Sequence, residues 1–589
     1  MNDPVEAEVR ARAVAAARGR RPFDLLITGA TVVDVAVGEL RQADVGIVGP
    51  LIASVHPAGS RSDAGAVFEA DGQLLAPGLM DLHVHFESSM LTPGSYAEAV
   101  CPRGTTTVFA DPHELANVAG VAGVRYAVDA SRGLPVRFIV QAPSCVPPIP
   151  GLELSGADLY RPEIDEMLAW PEVGGLAEVM DMLGVLDSGE RMSGVVGAGL
   201  ASGKLVSGHA AGLTGADLQA YLAAGMTSDH EIFTDGDAME KIRSGMTLEL
   251  RGAMEHLLAP IVAQIQALPQ LPTHIVAATD DLFALTLLEE GGIDHLLRRL
   301  IRCGLDPIVA LRIATYHAAY RLRRDDLGLV SAGRRADLIL LSDLHAVTVT
   351  EVWFAGRHVA SGGRMLEPCV EGASTPPLRT MKLDAMAADD FVLRVPGAPD
   401  GPARVRVVAG AVYTSWAEVD VEVRDGVAAV PPGHILQVAV HRHGRAPAVP
   451  AAGLLAGWGE WTGAIATTVS HDTHNLVVFG RDPADMAVAA NAVIAAQGGV
   501  AVARGGEVVA IIELPVAGIL SPLPAAQAAE AQRRVQDAAV EIGLVSTLLT
   551  QPLFQVMLSS LACLPGPHVT DLGLIDGDTG ELVPSMLVA

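Results

Sequence analysis

The chain has 589 residues, half of them hydrophobic and only 4% aromatic, which is enough for two or three domains with aliphatic cores. Its 40 basic and 68 acidic residues leave a net charge of -28, which repels nucleic-acid phosphates and anionic membranes but not a small uncharged ligand such as a nucleobase. Five cysteines (Cys101, Cys145, Cys303, Cys369, Cys563) lack CxxC spacing, the N-terminus has no apolar h-region, and no run reaches about 18 apolar residues, so the expectation is a soluble, cytoplasmic protein without zinc ribbon or disulfide framework.

From Phe23 to Val55, short β-branched runs broken by Gly and Asp predict a small antiparallel sheet, and the same texture returns from Gly333 to Gly363. Residues 1–76 and 331–365 are therefore expected to form one split β domain around an insertion. Across that insertion, residues 77–330, eight candidate strands alternate with helical segments: LMDLHVHFE, TTTVFADPHE, VRFIVQAPSCV, GGLAEVM, KLVSGHA, MTSDHE, MTLELR and HIVAATDD. That count and length suit an α/β fold of the (β/α)8 barrel kind. One crossover helix has readable ends, with Thr214 as cap, Asp217 near its positive end and Gly225 closing it. Beyond a Pro- and Gly-punctuated boundary near Met365, residues 366–589 mix strands (ARVRVVAGAVY, ILQVAVHRHG, AIATTVSHDTHNLVVFG) with two helical runs (PADMAVAANAVIAAQGG, PAAQAAEAQRRVQDAAVEIG), an additional C-terminal α+β domain.

The first barrel strand carries His83 and His85. Residues i and i+2 of a strand share a face, so two imidazoles project together at its end, as a divalent cation requires. Other strand ends repeat the theme with Glu178, His209, His230 and Asp280, each in an apolar setting where an unpaired charge is expensive. Four histidines and two carboxylates at one rim make a coherent ligand set. Asp111, His113 and Glu114 end the second strand, where they can contact a ligand, bind an accessory metal, or form a hydrogen-bonded turn. Glu87, Ser88 and Ser89 follow the first, where they can meet a ligand or cap the next helix. His471 and His474 in SHDTHN are the sharpest feature of the C-terminal region, as a lid over the barrel or as a structural network.

The order HxH, bridging acid, His, His, Asp resembles the amidohydrolase superfamily. More closely, PGLMDLHVHFESSMLTP, GTTTVFADPHELANV, SGHAAGLTGADLQAYLAAGMTSDHE, LGLVSAGRRADLILL, TVSHDTHNLVVFG and ELPVAGILS are similar to bacterial adenine deaminases of the two-metal type, with matches from about Phe23 to Gly573. The resemblance implies a glutamate, Glu178, where many amidohydrolases use a carboxylated lysine. It implies that His83, His85 and Asp280 hold one metal, His209 and His230 a second, and Glu178 bridges them. Mn or Fe(II) is favoured and Zn is possible. The implied reaction is attack of a metal-activated hydroxide on C6 of adenine, with Asp280 moving the proton and ammonia leaving. It also implies purine salvage or adenine catabolism and a homo-oligomer, a dimer first. Glu87, Ser88, Ser89, Asp111, His113 and Glu114 are then candidates to contact the purine. The chain departs from the family where LFALTLL follows Asp281 and where ATYHAAYRL replaces an Asn-Pro pair, which bears on substrate choice. The alternatives are hydrolysis of another purine, a pterin or a cyclic amide, or an inactive barrel serving as a binding protein.

Overall fold

A computed structural model describes residues 4–252, 255–411, 413–546 and 551–588. At its centre stand eight barrel strands: β1 (Leu79–His85), β2 (Thr105–Ala110), β3 (Arg137–Ala142), β4 (Val173–Leu176), β5 (Leu205–Val206), β6 (Ser228–Asp229), β7 (Thr247–Leu250) and β8 (Ile275–Ala277). They pair in parallel as two runs, β1 to β5 and β6 to β8. One seam closes where Asp280–Asp281 pairs with Val84–His85. At the other, the amide and hydroxyl of Thr227 both donate to the Val206 carbonyl, at 3.0 and 2.7 Å.

Met80, Leu82, Phe109, Leu205 and Val276, from four different strands, pack into one buried cluster inside the ring. Burying each such side chain contributes about 1.5–3 kcal/mol. The β1–β2 ladder shifts register between Asp81 and Val84. This irregularity turns His83 and His85 toward the same interior as Met80 and Leu82, the re-aiming that bulges give beside functional sites.

Leu338–Asp343 pairs antiparallel with Leu74–Pro77, which joins the two flanks of the barrel in one nine-stranded sheet. That sheet is mixed, whereas the residue pattern predicts an antiparallel one: Phe23–Asp34 runs parallel to both Ala64–Glu69 and Leu74–Pro77. The connection 57–63 returns the chain to its starting end, so the next strand runs with the first. Local patterning does not encode such a return.

The C-terminal region builds a ten-stranded sheet with helices Pro483–Ala495 and Ala525–Glu541. The segment AIATTVSHDTHNLVVFG is not the single strand that its apolar run predicts. It forms a hairpin, Ala464–Thr467 against Leu476–Gly480, and SHDTHN falls in the connection. Gln532 of the second helix ties this region to the barrel, its amide nitrogen donating to the Ser89 carbonyl at 2.9 Å and its oxygen accepting from the Leu285 amide at 3.0 Å. No helix among the described residues is long and apolar enough to cross a membrane.

Candidate metal centre

The C-terminal ends of the barrel strands bring His83, His85, Glu178, His209, His230 and Asp280 together, all buried. His83 Nε2 and His85 Nε2 lie 3.0 Å apart, and Asp280 Oδ1 stands 3.4 and 3.2 Å from them. Glu178 Oε1 is 3.6 and 3.2 Å from the same two nitrogens. Its other oxygen is 2.6 Å from His209 Nδ1 and 3.4 Å from His230 Nε2. Ligands about 2.1 Å from one ion lie about 3.0–3.4 Å from each other in octahedral or tetrahedral geometry; five of these separations fall in that range, whereas the 2.6 Å between His209 and Glu178 is a hydrogen bond, so the cluster is a candidate cation site. Glu178 offers one oxygen to each histidine pair.

The surroundings fit that reading. His85 Nδ1 faces the Asp111 carbonyl at 3.0 Å, which assigns the proton to Nδ1 and leaves the Nε2 lone pair pointing into the centre. Behind His230, Nδ1 faces Glu249 Oε2 at 3.7 Å. Burial pushes the Glu178 carboxyl up, but His230 and His209 more than reverse this and hold it well below the usual carboxylate range. Conversely, burial lowers His230 while Glu178 pushes it up to about 10. The Glu178 carboxylate is thus held ionised among the histidines, the charge state a cation ligand needs.

Several supporting residues carry no sequence signal. Asp229 Oδ1 accepts from the Ala210 amide at 2.7 Å and the Glu231 amide at 3.2 Å, so one carboxylate clamps the segments bearing His209 and His230. Lys241, wholly buried, pairs with Asp229 Oδ2 at 2.7 Å and Asp237 Oδ1 at 2.8 Å. Tyr221 donates its hydroxyl to the Val179 carbonyl at 2.6 Å and accepts from the His209 amide at 2.9 Å, joining the chain beside Glu178 to His209. Arg251 grips the outer oxygen of Asp280 and, at 2.7 Å, Glu231. Asp280 itself has a φ of 62°, a left-handed conformation that Asp tolerates better than most side chains.

The other candidates form a second buried layer. His113 Nδ1 lies 3.2 Å from Asp111 Oδ2 and 3.5 Å from Glu178 Oε1. The Ser88 hydroxyl is 2.5 Å from both Glu114 and Asp281. Glu87 Oε1 accepts from the Leu115 amide at 3.4 Å, and its other oxygen is buried without a partner. Ser89 donates to the Phe86 carbonyl at 2.5 Å and so closes the turn after β1. His471 and His474 reach this layer: His471 Nδ1 is 3.8 Å and His474 Nε2 3.6 Å from Glu114. Sequence distance hid this contact, and only the two-histidine spacing of SHDTHN marked the segment.

A parallel barrel with an HxH strand, a shared carboxylate and a terminal aspartate is an amidohydrolase architecture, and the model of the Amidohydrolase family matches residues 74–359. The model of the adenine deaminase C-terminal domain matches residues 411–581. An adenine deaminase of Klebsiella pneumoniae subsp. pneumoniae is 54% identical over 99% of this chain and 96% of its own length. Those of Serratia proteamaculans and Rhizobium meliloti, the latter an adenine deaminase 2, are 53% and 51% identical, each over 98% of this chain and 97% of the relative. The chain belongs to the adenine deaminase family.

Proposed function

We propose that this centre holds two divalent ions and hydrolyses adenine to hypoxanthine and ammonia. The observation that carries the reading is Glu178, one oxygen on each of two histidine pairs, in a chain 54% identical to an adenine deaminase along almost its full length. His83, His85 and Asp280 would hold one ion, His209 and His230 the other, and Glu178 both. Bound there, such ions lower the pKa of a water molecule to about 7. Asp280 Oδ1 takes the proton as water adds to C6 and returns it to the departing amine, while Arg251 on Oδ2 keeps the carboxylate in place. Glu87, Ser88 and Asp111 supply the polar wall that meets the base. The hydroxyl of Ser89 is committed to its own turn.

Nitrogen and oxygen donors without thiolate support Mn or Fe(II), with Zn as the third choice. The reading extends to purine salvage or adenine catabolism in the cytoplasm, and to a homodimer as the resemblance implies. Residues 1–76 with 331–365, 77–330, and 366–589 act as its three units.

The test is the ultraviolet spectrum of adenine, with ammonia assayed alongside, for enzyme reconstituted separately with Mn, Fe(II) and Zn. Conversion to hypoxanthine is expected, with loss of both conversion and bound metal in Glu178→Gln. Metal-loaded protein that leaves adenine untouched would overturn the substrate, and a Glu178→Gln variant with full metal content would overturn the bridge.

A further inference from the structure

Beside the two-ion centre, and resting on that reading, lies a second set of buried donors that it does not use. His113, Glu114 and His471 bring ligand atoms within 4.8 Å of one another. His471 Nδ1 stands 3.8 Å from Glu114 Oε1 and 3.5 Å from Asp472 Oδ1, and that Asp472 oxygen is 3.7 Å from His113 Nε2. None of the four side chains is more than 3% exposed. Each keeps a buried polar atom with no hydrogen-bond partner: His113 Nε2, Glu114 Oε2, His471 Nε2 and Asp472 Oδ2.

Charge points the same way. Glu114 and Asp281 converge on the Ser88 hydroxyl, which has one proton and can serve only one of them. Among the described residues, Glu114, Asp281 and Asp472 face this serine and the histidines His85, His113, His471 and His474. Buried carboxylates so placed need positive charge among them, which protonated histidines or a bound cation supply. The His474 ring has a different part. Its Nδ1 faces the Ser470 amide at 3.4 Å, which assigns the proton to Nε2 and aims it at Glu114 Oε2. At 3.6 Å this falls short of a hydrogen bond, so Glu114 Oε2 stays open to a ligand.

We propose that His113, Glu114 and His471, with Asp472 beside them, hold a third divalent cation that ties the hairpin connection of the C-terminal region to the barrel mouth. Two imidazoles with carboxylates suit Mn, Fe(II) or Zn. The fit explains why a distant hairpin buries an Asp and two histidines against the barrel.

The test reconstitutes the metal-free full chain with Mn, removes the excess and counts Mn per chain by mass spectrometry for wild type, His471→Asn and Glu178→Gln. Manganese anomalous diffraction from wild-type and Glu178→Gln crystals locates the ions. Expected are about three ions in wild type and about two in His471→Asn, with an anomalous peak between Glu114 and His471 that persists in Glu178→Gln. About two ions, both at Glu178, and no peak at Glu114 would overturn this inference and leave the two-ion centre standing. A wild type with a peak at Glu114 but none at Glu178 would instead overturn the two-ion reading. Should His471→Asn not fold, the wild-type anomalous map decides alone.

Discussion

Lys241→Met is expected to loosen the His209–His230 side of the centre without touching it. The ammonium group is wholly buried and spends its donors on Asp229 at 2.7 Å, Asp237 at 2.8 Å and the Glu231 carbonyl at 2.5 Å. Burial alone would lower its pKa, but the two aspartates hold it above the ordinary lysine value. Methionine fills much of the same volume and removes the charge, leaving two buried carboxylates facing each other. Breaking a buried pair from one side costs about 3–5 kcal/mol, and the two pairs share one lysine, so the costs do not add. For a unit of barrel size, that lowers the melting temperature by about 6–20 °C. Asp229 also clamps the amides of Ala210 and Glu231, so its displacement should reduce bound metal as well. Differential scanning calorimetry and metal analysis of the same sample read both effects. Asp237→Asn, which leaves the Asp229 pair intact, should cost less than half as much. A Lys241→Met protein within about 1 kcal/mol of wild type and fully metal-loaded would refute the clamp.

Other substitutions probe other links. Arg251→Gln frees the outer oxygen of Asp280, so kcat should fall by about 10- to 100-fold while metal content stays at the wild-type level; unchanged kcat would remove Arg251 from the positioning of Asp280. Tyr221→Phe strands the Val179 carbonyl and the His209 amide, with an expected stability loss of about 1–3 kcal/mol by urea unfolding. Gly208→Ala would place a Cβ 2.5 Å from the Ser228 carbonyl oxygen, which forces the chain before His209 away from that bearing His230; a fall in metal affinity by isothermal titration is expected, and unaltered affinity would show that the two segments move freely.

That the six residues of the centre come together was legible because it depends on short-range geometry. Period-two alternation puts His83 and His85 on one face, and the parallel barrel puts strand ends on one rim, so Glu178, His209, His230 and Asp280 follow by position. The helix cap was legible for the same reason: Gly215–Ala224 begins after Thr214 and ends at Gly225, whose φ of 120° suits glycine. Composition gave the aliphatic cores, and the repeated texture on both flanks anticipated one shared sheet.

What the tertiary structure alone decided involves contacts between residues far apart in the chain. The register shift between Asp81 and Val84 aims the histidines, yet it arises from how β1 meets β2 and leaves no trace in LMDLHVH. Lys241 looks like an ordinary helix-surface lysine until the fold sets Asp229 beside it. SHDTHN lies in an apolar run that reads as one strand, and only packing against the barrel turns it into a hairpin that carries His471 and His474 to Glu114. Side-chain periodicity reports on neighbours a few residues away. Charge pairing in a buried site is set by desolvation, which acts on whatever the folded chain brings together.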